Sequence, residues 1–439
     1  MGSHSSTTIQ KHLTAQDLQH EWIDRYSTKK FHMEYSGYLS NHLLHGVVAL
    51  HELGAAKDQI DDFAEHYAKT KLEPVPPEHE DPYEVVTVDE VSSNQDAVVP
   101  SAERVQKLLG QRQDFDALLA FYAHEIKLLG TDGAVKKHLP ALVGGLSGAL
   151  LHGLIQLGYA YHIGGDRLIA EGLAYFHFSY LSFDQPKKQE ETPTGSKKAF
   201  TRDEATKLAH ALKSHEFILR EMHEHLQGKA ITELTIGIFQ KKLNALSAHP
   251  ERGSKAAFEL ISSTLDQYDL SKVDGNFAIA FALWLYTMIE HNDFVIAHAV
   301  TSAWSLKQLE HLLGHDDRAR AWKVWFQVAT SAFVLQEVSD LSANDICDQY
   351  EAKLASLDPW QEIIHRTLAL QDYPDEHVYK VVQIAHEHAK VHDDGFLSSD
   401  ERAFVTRQAA TKVIEQDFQR IEKIARGFQT PVLTYQHFV

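Results

Sequence analysis

A single cysteine, Cys347, is all that 439 residues contain, which excludes an intrachain disulfide and any cluster held by several thiolates. That usage fits a reducing compartment, and a cytoplasmic location is the expectation. Positive charge is also scarce: 42 Lys and Arg face 61 Asp and Glu, a formal net charge of −19. No segment concentrates enough cationic side chains to grip nucleic acid or an anionic membrane as a main partner. Strand-like alternation is nearly absent, and no Gly-x-Gly-x-x-Gly follows a strand, which weakens a flavin- or nicotinamide-binding reading. The most apolar window, Pro140 to Tyr161, is long enough to cross a bilayer, but His152 and Gln156 interrupt it and no second comparable span exists. Met1 to Ser5 has no apolar signal-peptide core, and residues 1–16 read as a tag remnant and flexible N-terminus.

What remains is helix after helix. Apolar or amphipathic periodicity predicts helices over Tyr38–Leu53, Gln59–Lys71, Ser101–Leu129, Pro140–Tyr161, Gly165–Phe183, several within Arg202–Tyr268, then Phe277–Ile289, Phe294–Leu313, Asp316–Leu341, Pro359–Leu370, Glu376–His392 and Ser399–Phe428. The glycines of Pro140–Tyr161 suggest a central buried helix closely approached by its neighbours. Proline and acidic residues make 73–100 a long surface loop, with a short strand expected at Tyr83–Val88, and 184–200 a second, polar loop. The expected fold is all-α, one large multi-helix domain over residues 17–439 with those two loops.

Histidine is abundant, at 29 residues, so spacing alone generates false sites. The pairs His311 with His315 and His388 with His392 lie among Lys, Glu and Asp and read as solvated faces. Burial discriminates better, because an imidazole among apolar residues needs hydrogen bonds or a metal to offset its desolvation. His42, His152, His298 and His377 meet that condition. Each alone is more often a satisfied core histidine than a ligand, but four on four different apolar helices point to a shared site. His45, one turn from His42, is a fifth ligand or a supporting partner. Around His377, Pro374 suits a first helical position, and Lys380 follows one turn on with Val381, Ile384 and Ala385. A buried lysine must lose its charge, find a partner or snorkel outward.

Asn41-His42-Leu43, Leu151-His152-Gly153-Leu154-Ile155, His298-Ala299-Val300-Thr301 and Asp375-Glu376-His377 with Lys380 together resemble the questin oxidase-like family, known from fungal polyketide pathways. The resemblance implies an all-α oxidoreductase that opens an anthraquinone ring to a benzophenone-like product in secondary metabolism. It further implies a non-haem Fe(II) site with O2 as co-substrate, its ligands His42, His152, His298, His377 and Lys380 carboxylated by CO2. An anionic carbamate would spare the metal a repelling ammonium, and five ligands leave one octahedral position for O2 or a substrate oxygen. An external reductant such as NADPH is left open, as is the oligomeric state. Asn41, His45, Thr301 and Glu171 are candidates for catalytic or supporting roles, with Thr301 orienting an oxygen species or a phenol. Tyr35, Tyr159, Phe294 and Trp304 are candidate walls for an aromatic substrate, although large aromatics are more often plain core. Three other readings stay open: an NADPH-dependent monooxygenase of the Baeyer–Villiger type, a metal-dependent hydrolase using a carboxylated lysine, for which Glu171 is the one further apolar-face carboxylate, and a non-catalytic helical binding scaffold.

Overall fold

The computed structural model describes residues 25–87, 99–183, 197–213, 216–226, 238–248, 253–270, 273–289, 292–334, 354–370 and 375–416. The proposed tag remnant, Tyr373 and Pro374 lie outside them. The helices are α1 (Leu43–Glu52), α2 (Lys57–Lys71), α3 (Pro82–Thr87), α4 (Ala102–Lys107), α5 (Phe115–Leu142), α6 (His152–Ile163), α7 (Asp166–Phe178), α8 (Arg202–Lys213), α9 (Glu216–Leu226), α10 (Ile238–Ala245), α11 (Lys255–Leu265), α12 (Gly275–Met288), α13 (Phe294–Leu309), α14 (His315–Val334), α15 (Trp360–Leu368), α16 (His377–His388) and α17 (Ser399–Glu415). Strand structure among the described residues is limited to two-residue pairs, β1 (Glu34–Tyr35) antiparallel to β2 (Leu39–Ser40) and β3 (Lys198–Ala199) parallel to β4 (Tyr268–Asp269). The fold is all-α, as expected. No described helix is long and apolar enough to cross a membrane.

The packing order explains how the site is assembled. α13 lies against α6, α12 and α16, while α1 lies against both α6 and α16. Helices α1, α6, α13 and α16 therefore close a ring of neighbours. At the α6–α13 crossing a Cβ on Gly158 would come within 2.5 Å of Ser305 Cα, so only glycine permits that approach.

Three local expectations are corrected. Pro140–Tyr161 is not one helix: α5 ends at Leu142, two 3-10 turns follow, and Ala149, Leu150 and Leu151 have φ of 46°, 53° and 72°. The backbone of Leu181 and Phe183 donates to Gly145 O and Gly144 O at 3.2 Å, and a Cβ on Gly148 would lie 1.7 Å from Ser179 O. That close approach breaks the helix, and three left-handed residues, each costing about 1 kcal/mol or more, restart it at His152. The stretch around Tyr83 is helix rather than strand, because Pro82 is preset for a first helical turn and Asp81 Oδ1 accepts from Tyr83 N at 3.1 Å. His388 is buried, not solvated: its Nε2 meets Asp394 Oδ2 at 3.1 Å, an oxygen that Arg402 also reaches at 3.1 Å.

Lys412 on α17 is buried, donates to Tyr286 O at 2.6 Å and to Ile289 O, and lies 4.6 Å over the Tyr286 ring. Burial pushes it down to about 7 from its usual 10.5, against an opposing pull from Asp293. Between those values the unfolded chain holds a proton that the native one has released, so stability rises with pH there, and below about 7 the penalty is present in full. Lys412→Met is expected to flatten the dependence of the urea-unfolding midpoint on pH between 7 and 10. An unchanged slope would show that Lys412 does not titrate in that window.

Candidate metal centre

His42 immediately precedes α1, because Ser40 is held in β2 and Asn41 Oδ1 accepts from Leu43 N at 3.0 Å. His152 and His377 each begin a helix, and His298 lies one turn into α13. All four side chains are buried, and one nitrogen from each lies within 4.8 Å of the others. Going round, ring centroids are 4.4 Å apart from His42 to His152, 4.6 Å from His152 to His298, 4.6 Å from His298 to His377 and 4.9 Å from His377 back to His42. The Nε2 atoms face one another: His298 to His152 at 3.1 Å, His377 to His298 at 3.2 Å, and His42 to His152 in close contact.

The opposite edges of the rings decide what those nitrogens carry. His298 Nδ1 meets Phe294 O at 2.6 Å and His152 Nδ1 meets Ala149 O. A carbonyl can only accept, so both rings must carry their proton on Nδ1 and leave Nε2 bare. His377 Nδ1 meets Asp375 Oδ1 at 2.5 Å and His42 Nδ1 meets Glu376 Oε1; burial pushes both carboxyls up, Glu376 to about 8, and in their ionised form they accept from Nδ1 and give those rings the same tautomer. Burial pushes His42, His298 and His377 well below the usual imidazole range and His152 down to about 3, with the facing Lys380 adding to each shift. The rings are therefore neutral at pH 7, and with Asp375 and Glu376 ionised their lone pairs converge on one point with no proton between them. That donor set repels itself and fits a divalent cation.

Lys380, one turn from His377 on α16, is buried, and its Nζ has no hydrogen-bond partner among the described residues. Burial pushes its ammonium form down, against the pull of Glu376 and Asp375. A side chain that faces four histidines and leaves its polar atom orphaned fits a group that is chemically completed by something else.

The family model for questin oxidase-like proteins matches residues 39–385. The chain belongs to the questin oxidase-like family. No curated protein matches it closely enough to be counted a relative. The matched stretch spans His42, His152, His298, His377 and Lys380, and the family's name denotes an oxidase, so oxidoreductase chemistry on a small molecule is the function class it supports.

The other candidate residues are distributed unevenly around the cluster. Phe294 lies against it, its ring 4.4 Å from His298 and 4.7 Å from His377. His45 is one layer out, 5.4 Å from the His42 ring, and its Nε2 meets Gln156 Oε1 at 2.8 Å. Tyr35 bonds to Tyr67, whose hydroxyl accepts from His42 N at 3.2 Å. Tyr159 and Trp304, their rings tilted against each other with centroids 4.5 Å apart, lie beyond His45 and are tied to α16 through Gln383 and Glu387. Thr301 Oγ1 bonds back to His298 O at 3.3 Å, and Asn41 flanks His42 without reaching the nitrogen cluster. Glu171 is not brought to the cluster; it pairs with Arg167 at 2.8 Å and with Thr28. Asp375 and Glu376 are the supporting residues that the sequence reading left without a role. They form a second convergent group with His377, but their oxygens are already on the Nδ1 atoms of His377 and His42, which makes them an outer layer of one site. Their signal was adjacency to His377 in a helix-start motif.

Proposed function

We propose that the chain is a non-haem iron-dependent oxygenase that cleaves a ring carbon-carbon bond of an anthraquinone-type polyketide with O2. The observation that carries the reading is the convergence of four buried, neutral imidazoles through their Nε2 atoms. His42, His152, His298 and His377 would hold Fe(II), and Lys380 would complete the set as a carbamate, formed when its neutral amine adds CO2 and releases one proton. Iron held there supplies the one-electron chemistry that lets O2 react with a spin-paired aromatic substrate. The chain's own residues do the rest. Glu376 and Asp375 fix the tautomers and orientations of His42 and His377. Phe294 covers His298 and His377 on one side and excludes water there. The reacting form is an electron-rich, reduced quinone, and the electrons come from an external source.

Iron analysis of the purified protein tests it. About one iron per chain is expected, with loss in both Lys380→Ala and Lys380→Arg and a decline when CO2 is stripped from the buffer. Full iron retention in Lys380→Ala would sink the five-ligand assignment.

A further inference from the structure

A row of aromatic rings leads away from the histidine cluster. From His42 the centroids step 5.4 Å to His45, 5.0 Å to Tyr159, 4.5 Å to Trp304 and 5.0 Å to His162. His45 comes from α1, Tyr159 and His162 from α6 and Trp304 from α13, so the row is made by helix packing. His45, Tyr159 and Trp304 are fully buried, whereas the His162 side chain is 26% exposed and its Nε2 meets Glu52 Oε1 at 3.1 Å. The row therefore runs from a cluster histidine to the surface.

The hydrogen bonds at its middle set it apart from plain aromatic packing. Trp304 Nε1 donates to Glu387 Oε2 at 2.7 Å, and Gln383 Nε2 donates to the other oxygen of that carboxylate at 2.5 Å. The Tyr159 hydroxyl donates to Gln383 Oε1 at 3.0 Å. An amide oxygen is too weak a base to keep a phenol proton. A carboxylate can take the proton that an indole sheds on losing an electron, and its negative charge favours that loss.

We infer that Tyr159 and Trp304 form an escape route for oxidising equivalents, with Trp304 the residue oxidised and Glu387 the base that takes its proton. The inference rests on the oxygenase reading, which brings iron and O2 beside His42. With no quinone bound, two electrons from the external source and two protons reduce O2 to hydrogen peroxide. The peroxide then takes one electron from ferrous iron, one from Trp304 and two protons from solvent, and becomes two waters. The indole Nε1 proton passes to Glu387, which leaves ferric iron and a neutral indolyl radical. Tyr159 passes the electron inward across His45. A soluble one-electron reductant of the ascorbate or thiol class, meeting the row at His162, returns the electron, and Glu387 returns the proton. The clustered histidines, nearest to the oxidant, are thereby spared.

The test mixes full-length protein, loaded anaerobically with Fe(II) and free of quinone, with equimolar hydrogen peroxide. Iron content is measured first, and freeze-quenched samples are read by electron paramagnetic resonance. Wild type is expected to give an organic radical whose hyperfine pattern narrows when its tryptophans are ring-deuterated. Trp304→Phe is expected to lose that signal and to gain oxidised histidine at His42, His152, His298 or His377, read by peptide mass spectrometry. Tyr159→Phe removes one hydroxyl, is expected to lose most of the signal with Trp304 still in place, and decides the matter if Trp304→Phe fails to fold. Trp322→Phe is the control: its indole also donates to a carboxylate, Glu310 at 2.9 Å, but its ring packs on Trp325, and it is expected to behave as wild type. A radical unchanged in Trp304→Phe and Tyr159→Phe, or lost equally in Trp322→Phe, overturns the route and leaves the oxygenase reading intact. So does a wild type that holds iron and gives no organic radical. A wild type that binds no iron overturns both.

Discussion

His298→Ala is expected to abolish metal-dependent stabilisation. The side chain is fully buried, and its Nε2 is within 3.1 Å of His152 and 3.2 Å of His377, the middle of the arc of converging lone pairs. Removing it takes one of the four converging nitrogens out of the cluster. Partners outside a ligand set are already worth about 10- to 100-fold in metal affinity, and a ligand should exceed that. Iron at about a hundred times its dissociation constant stabilises a protein that binds it by about 2.7 kcal/mol, through binding the native state alone. Anaerobic calorimetry with and without Fe(II) reads this directly. Wild type is expected to melt several degrees higher with iron, His298→Ala at the same temperature in both conditions, and His311→Ala, whose ring lies at the surface beside Tyr161, as wild type. A full iron-dependent shift in His298→Ala would remove His298 from the ligand set.

Glu376→Gln is expected to weaken iron binding about 10- to 100-fold without emptying the site. Glu376 is buried and directly follows Asp375, so two adjacent residues serve two imidazoles on different parts of the chain: Asp375 holds His377 and Glu376 reaches across to His42. An amide keeps the shape but removes the charge that strengthens the hydrogen bond and makes the ring a better donor to a cation. Asp375→Asn should cost less, because its side chain is 38% exposed and water screens the lost charge. Competition with a chelator of known iron affinity ranks the two variants. Equal losses, or no loss in Glu376→Gln, would show that the carboxylates are not a supporting layer.

How much of this was legible in the sequence follows from where each residue acts. The all-α class was legible because 3.6-residue periodicity is local, and so were α2, α12, α13 and α16, each found near its expected bounds. The four histidines stood out because an imidazole among Leu, Val, Ala and Ile is costly wherever the helix lies. Tyr83 misled because β-branched neighbours suggested a strand, whereas Pro82 and Asp81 started a turn of helix. His388 misled because its helical neighbours are charged, while the Asp394 that buries it comes from the following loop. Pro140–Tyr161 misled because its glycines do permit close approach, but the neighbour is the backbone of Ser179 to Phe183, which takes the hydrogen bonds that a continuous helix would have used.

The sequence by itself determined that the protein is helical, that this chain forms no disulfide within itself and no cluster of several thiolates, and that four apolar-face histidines and one lysine needed a common explanation. Only the tertiary structure decided that the Nε2 atoms meet, that Phe294 and Ala149 carbonyls set the tautomers, that Glu376 supports a histidine 334 positions away, and that Glu171 pairs with Arg167 and Thr28 outside the cluster. The reason is that desolvation cost is a property of a residue and its immediate neighbours, while ligand geometry, tautomer and pairing depend on which helices pack together. That choice is made by side chains far apart in the chain, at contacts such as Gly158 on Ser305.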